Sequence, residues 1–204
     1  MKKEYRIKIK ELEKELSVLK KRKAKEYGFK KIDSYLWSYN KEMFYYADID
    51  VWLDEKNLEC KCSYKWLCKP MWIDELLWVI LNMEENKSAP LSLRCTGAFT
   101  FNGIESKSQT TLIDEFSPEK LELCVDSYIN DFKEKVQNFS ILDFYENVNE
   151  DIYQYDIYNL LYLVYQKKYS EAYKCAEGMI HSGFINKGKK LSDYAKEYCL
   201  KMIN

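Results

Sequence analysis

Histidine, proline and glycine are scarce in this chain, whose 204 residues include one His, three Pro and six Gly. Nucleophilic triads built on Ser or Cys need a base, and the single imidazole, His181, accompanies no recognisable nucleophile motif. Its solitude also argues against most acid–base enzymes working near neutral pH. His181 falls in Met-Ile-His-Ser-Gly-Phe and reads as a helix cap or surface residue. No GxGxxG or Walker A run is present, which removes the commonest nucleotide sites. Long apolar runs are missing too: Leu76 to Leu81 is far too short to span a bilayer, and the N-terminus lacks the apolar region of a secretory signal. A cytoplasmic location without membrane attachment is the expectation. Seven cysteines, an odd number spread along the chain, read as free and mostly buried thiols in a reducing compartment, and no disulfide is assigned.

Abundant instead are aromatic rings and unevenly placed charge. Apolar residues make up 47% of the chain, enough for a substantial core, and 18 Tyr, 9 Phe and 5 Trp serve cores and interfaces alike. Residues 1–31 hold 13 Lys/Arg against 5 Asp/Glu, while the rest hold 19 against 28, a split that the net charge of −1 hides. No Lys or Arg lies between Val136 and Gln166, a window dense in Tyr and carboxylates, and such a surface suits a basic partner.

The pattern of periods predicts an α+β fold with a charged N-terminal helix, an antiparallel meander and hairpins around a buried helix, and a helical C-terminal third. Tyr5, Ile9, Leu12, Leu16 and Leu19 give the first helix one narrow apolar seam, which either docks on the rest of the chain or forms a dimer seam; docking is favoured because Lys20 to Lys25 end the stripe. Gly28 is a natural residue to follow that helix. Period-two alternation predicts strands at Tyr35–Tyr39, Met43–Leu53 and Leu58–Leu67. Pro70 then opens a helix over 71–83, apolar nearly all round. Alternation at Leu91, Leu93, Cys95, Phe99 and Phe101, with a bulge at Gly97 and a turn at Asn102-Gly103, predicts a hairpin whose return strand, Ile104–Leu112, is a polar edge. Ser117-Pro118-Glu119 starts a helix reaching Phe139, and further helices are expected near 152–166, 169–181 and 191–203. The domains drawn from this are an α+β core over 1–139 and a helical extension over 140–204.

Several groups of residues invite a chemical reading. Asp48, Asp50 and Asp54 share one strand face and suit a magnesium-dependent phosphoryl-transfer site, yet Lys61 and Lys65 are placed to neutralise them. Cys60, Cys62 and Cys68 offer three thiols, short of the four ligands and CxxC spacing of structural zinc, so no metal or other cofactor is expected. Lys20-Lys21-Arg22-Lys23-Ala24-Lys25 lacks interleaved aromatics and reads as a solvated helix face, which makes nucleic acid an unfavoured partner. Residues 158–182 have the small and aromatic placements of a tetratricopeptide-type helix pair in one copy only, hence an ordinary αα-hairpin. What remains is the acidic tyrosine window: Asp143, Tyr145, Glu146, Glu150, Asp151, Tyr153, Tyr155 and Asp156, expected at a junction between helices where a loop displays them to a protein partner.

A chain rich in Lys, Asn and Tyr, with an acidic window and no catalytic signature, resembles the immunity proteins of bacterial polymorphic toxin systems of the contact-dependent inhibition type. Its opening, a charged helix followed by Gly28-Phe29-Lys30-Lys31 and aromatic strands, is also similar to a bacterial family of unknown function. The first resemblance implies a non-enzymatic, cytoplasmic protein, monomeric or weakly dimeric, that binds and neutralises a cognate toxin domain of basic, nuclease type. The alternatives are a phosphoryl-transfer enzyme using Asp48 and Asp50, and a helical adaptor that dimerises through Ile9, Leu12, Leu16 and Leu19.

Overall fold

The computed structural model describes residues 2–149, 154–179 and 184–204. The elements run in chain order as α1 (Lys2–Tyr27), β1 (Lys30–Ile32), β2 (Tyr35–Tyr39), β3 (Met43–Asp54), β4 (Glu59–Pro70), α2 (Met71–Ile80), α3 (Leu93–Thr96) and β5 (Ile104–Leu112). They continue as α4 (Pro118–Asn138), α5 (Ile141–Asn147), α6 (Tyr155–Tyr165), α7 (Tyr169–Gly178), β6 (Ile185–Asn186), β7 (Lys189–Lys190) and α8 (Leu191–Ile203). The fold is α+β, with a five-stranded antiparallel sheet ordered β1-β2-β3-β4-β5. No helix among the described residues is long and apolar enough to cross a membrane.

The chain forms two compact units, one made of Met1–Asn40, Phe44–Cys68 and Glu105–Ser140, the other of Lys41–Met43, Lys69–Ile104 and Ile141–Asn204. The division expected at 139/140 falls beside the crossing at Ser140 and Ile141, and Lys69–Ile104 clusters with the C-terminal residues.

In the first unit, α1 and α4 lie together beside the sheet. The α1 seam is used up inside the chain: Ile9, Leu12, Leu16 and Leu19 are all buried, so docking is what the structure shows and no dimer seam is left on this face. Gly28 follows with φ +75, a left-handed conformation cheap for glycine, in open space where only the backbone angle demands it. Ser117 caps α4 by accepting from Lys120 N, with Pro118 at the first helical position. On β3, Ile49 and Val51 are buried while Asp50 and Trp52 are exposed, the expected alternation; nearer its start, Met43 through Tyr46 are buried on both faces. Of the two cations expected against the aspartate face, Lys61 reaches Asp54 at 2.6 Å, whereas Lys65 pairs with Glu105 on β5.

The hairpin expected across 91–112 is not formed. β5 is indeed an edge strand, but its neighbour is β4. Leu91–Phe101 holds only the single turn of α3, and Gly97 is no bulge: a Cβ there would sit 2.7 Å from Leu93 O, so glycine is needed for close approach. The cause lies in the second unit. There the backbone of this segment bonds to side chains instead of to a strand: Lys69 Nζ donates to Arg94 O at 2.7 Å and Phe101 O at 2.5 Å, Trp78 Nε1 donates to Phe99 O, and Phe101 N donates to Asp74 Oδ1. Lys69 and Asp74, both fully buried, pair at 2.9 Å, and Arg94 bonds Asp74, Met71 O and Glu75. Around this network α2 packs near α6 and α8, and α6–α7 form the expected αα-hairpin.

Candidate functional site

The second unit carries a continuous set of rings. On α6, Tyr155, Tyr158, Tyr162 and Tyr165 are spaced three, four and three apart and so fall on one helical face. Their rings touch in series, Tyr155–Tyr158 at 6.2 Å and Tyr158–Tyr162 at 5.6 Å between centroids. Tyr145 of α5 joins Tyr162 at 5.8 Å, and Trp72 of α2 stacks on Tyr165 at 4.3 Å with planes 14° apart. Trp72 Nε1 donates to Tyr145 Oη at 3.2 Å, tying α2 to α5. Burial of the Tyr145 phenol raises its pKa above the ordinary value, against the pull of the Trp72 bond, so it stays a neutral acceptor and donor at physiological pH. Each such ring pair contributes about 0.5–1.5 kcal/mol beyond its buried area, which makes this face stiff.

Stiff is not the same as hidden. Tyr158 is buried, Tyr145, Tyr155, Tyr162 and Trp72 are half-buried, and Tyr165 is 47% exposed. Beside them Leu142 of α5 is 68% exposed, an apolar side chain that nothing in its own unit covers. Glu146 and Asp156 are exposed and make no ion pair within the described residues. Asp156 sits in the first turn of α6, where the helix dipole favours an anion. Glu146 sits near the end of α5, where the dipole disfavours one, so helix stability does not account for it.

Of the sequence-predicted residues, Asp143, Tyr145 and Glu146 therefore stand on a helix, α5, and Tyr155 and Asp156 on the first turn of α6, not on a loop. Phe144, fully buried among them, is what anchors α5. Glu150, Asp151 and Tyr153 lie outside the described residues, as does His181. Sequence reasoning missed Trp72, Tyr162 and Tyr165 as members of this face; the 3-4-3 tyrosine spacing was the available signal for two of them.

No family model, curated protein or solved structure matches this chain.

The other groups of residues weighed for chemistry are engaged within the first unit. Lys20 is buried and donates to Ser34 O at 2.9 Å and Ile49 O at 2.7 Å, next to Asp48 and Asp50; burial lowers its pKa. Burial raises the pKa of Asp48, opposed by a hydrogen bond from Ser34 and by the Lys20 charge. Asp50 accepts from Val51 N, and Asp54 is held by Lys61. The remaining basic patch is also partly neutralised: Arg22 pairs with Glu122 and Lys23 with Asp126 at 2.6 Å, both acids on α4. Cys60, Cys62 and Cys68 are buried, burial pushes the Cys60 thiol up to about 11, and no cluster of three or more His, Cys, Asp or Glu able to hold a metal occurs among the described residues.

Proposed function

We propose that this protein is a non-enzymatic binding protein of immunity type, which neutralises a basic toxin domain by covering it with the α5–α6 face of its second unit. The observation that carries this reading is the joining of a rigid ring set to exposed carboxylates that their own unit leaves without cations. Aromatic anchors supply most of the energy at protein interfaces, and unpaired rim charges set the sign of the partner and its rate of approach. In the first unit the positive face of α1 is answered only in part, by Glu55, Glu122 and Asp126, and what stays exposed on α1 is mainly cationic, the wrong sign for a basic partner.

The test is calorimetric titration against the toxin domain encoded by the neighbouring reading frame, at two salt concentrations. Binding that weakens as salt rises supports the reading, since exposed charge pairs are screened over roughly 10 Å at 0.1 M. Absence of binding, or binding indifferent to salt, argues against it.

A further inference from the structure

A second surface on the same unit has the opposite sign. Between α2 and the helices after it runs an open groove of about 310 Å³. Its floor is apolar: Trp72, Leu76 and Val79 follow one another along α2 at four and three residues, all only half-buried, and Val164 and Tyr165 line the facing wall. This is the face of α2 that the core leaves uncovered, since Ile73, Leu77, Trp78 and Ile80 point the other way. The stripe is about 10 Å long, which is two turns of helix.

The charge at the groove is what names its occupant. Lys87 and Lys167 line it, both exposed and without an ion pair among the described residues, while the one acid there, Glu75, is held by Arg94 at 2.9 Å. Lys167 adopts φ +59, a left-handed conformation that glycine or asparagine takes more cheaply, so backbone geometry does not explain a lysine at this position. An apolar trough with uncompensated positive charge suits a short amphipathic segment that carries aliphatic or aromatic side chains on one face and carboxylates beside them.

We infer that the groove bounded by Trp72, Leu76, Val79 and Tyr165 docks an acidic amphipathic segment of a protein partner, with Lys87 and Lys167 receiving its carboxylates. It shares Trp72 and Tyr165 with the acidic face but takes its charge from Lys87 and Lys167, which that face does not use, so reversing those two charges tests the groove separately. The probe is a fluorescein-labelled helical peptide of about fifteen residues with leucines at i, i+3 and i+7 and flanking glutamates. Fluorescence anisotropy should show saturable binding to the full chain, weakened at least about tenfold by the double substitution Lys87→Glu and Lys167→Glu. A peptide with lysines for the glutamates should prefer that doubly substituted protein over the wild type. Both substituted positions are exposed, so circular dichroism and the urea midpoint should stay those of the wild type. No binding of the glutamate peptide overturns the inference, and so does equal binding of a peptide with glutamine in place of glutamate, which would mean apolar capture alone. Loss of peptide binding on Glu146→Lys with Asp156→Lys would place the peptide on the other face and overturn it too. A doubled mass in light scattering without peptide, abolished by Leu76→Glu, would assign the groove to a second copy and overturn it as well.

Discussion

Lys69 is fully buried, and that burial lowers its pKa while Asp74 pulls it back up. The pair holds the irregular segment around Arg94 and Phe101 in place, so its value lies in completing a network in which removal of one member strands the rest. Asp74→Ala should therefore destabilise the chain by about 3–5 kcal/mol in urea unfolding, whereas Asp74→Leu combined with Lys69→Met should recover only the part due to the stranded Lys69 charge, because Arg94, Phe101 N and two carbonyls still lose partners. Equal loss in both would show that the charges are not coupled. Asp48 gives a pH test of opposite character. Its folded pKa is raised by burial, so the folded state binds the proton more tightly than the unfolded chain does. Stability from this group is greatest below the unfolded value and falls as pH rises through the folded one. Asp48→Asn should thus gain stability relative to the wild type toward pH 7, the two converging as pH falls toward 3; a constant gap would contradict the assignment. None of these buried charges is legible in sequence, because an Asp in an apolar helix and a Lys at a strand end look like ordinary surface residues until a distant segment supplies their partners.

At the scale of elements, the seam of α1 is the clearest instance of local pattern deciding tertiary structure. Leu16 is 3% exposed, and Leu16→Ala should cost about 2–5 kcal/mol while light scattering reports an unchanged mass, since the seam meets its own chain. A fall in mass would restore the dimer reading. The seam, the meander, the Pro118 helix start and the polar edge strand were readable because each follows from spacing over a few residues. Leu91–Phe101 was not: its alternation is that of a strand, but its backbone groups are claimed by Lys69, Asp74 and Trp78, whose involvement no local period announces. The short β6–β7 hairpin, with its turn at Lys187-Gly188, escaped for lack of any alternation to read. Half of the candidate face was legible in the same sense, as a window without cations; its geometry was not, because the helix α5 depends on burying Phe144.

For the whole molecule, the uneven charge of the sequence is answered in part inside the first unit. Lys20, Arg22 and Lys23 of α1 serve carbonyls and carboxylates of their own unit, while Lys10, Lys14, Lys21 and Lys25 stay exposed without an ion pair among the described residues. On the second unit, Glu146 and Asp156 beside the tyrosine stripe are exposed and make no ion pair among the described residues. If that face is where a cationic partner sits, Tyr165→Ala should weaken binding by roughly 2 kcal/mol or more as a ring anchor, with urea stability lowered by only about 0.5–1.5 kcal/mol through loss of the Trp72 stack. The most direct measurement is the affinity of the Glu146→Lys, Asp156→Lys double variant for the proposed partner, a basic toxin domain encoded beside this chain. The account predicts a loss of at least about tenfold, carried mainly by slower association at low salt. Affinity and association rate equal to those of the wild-type chain would contradict it.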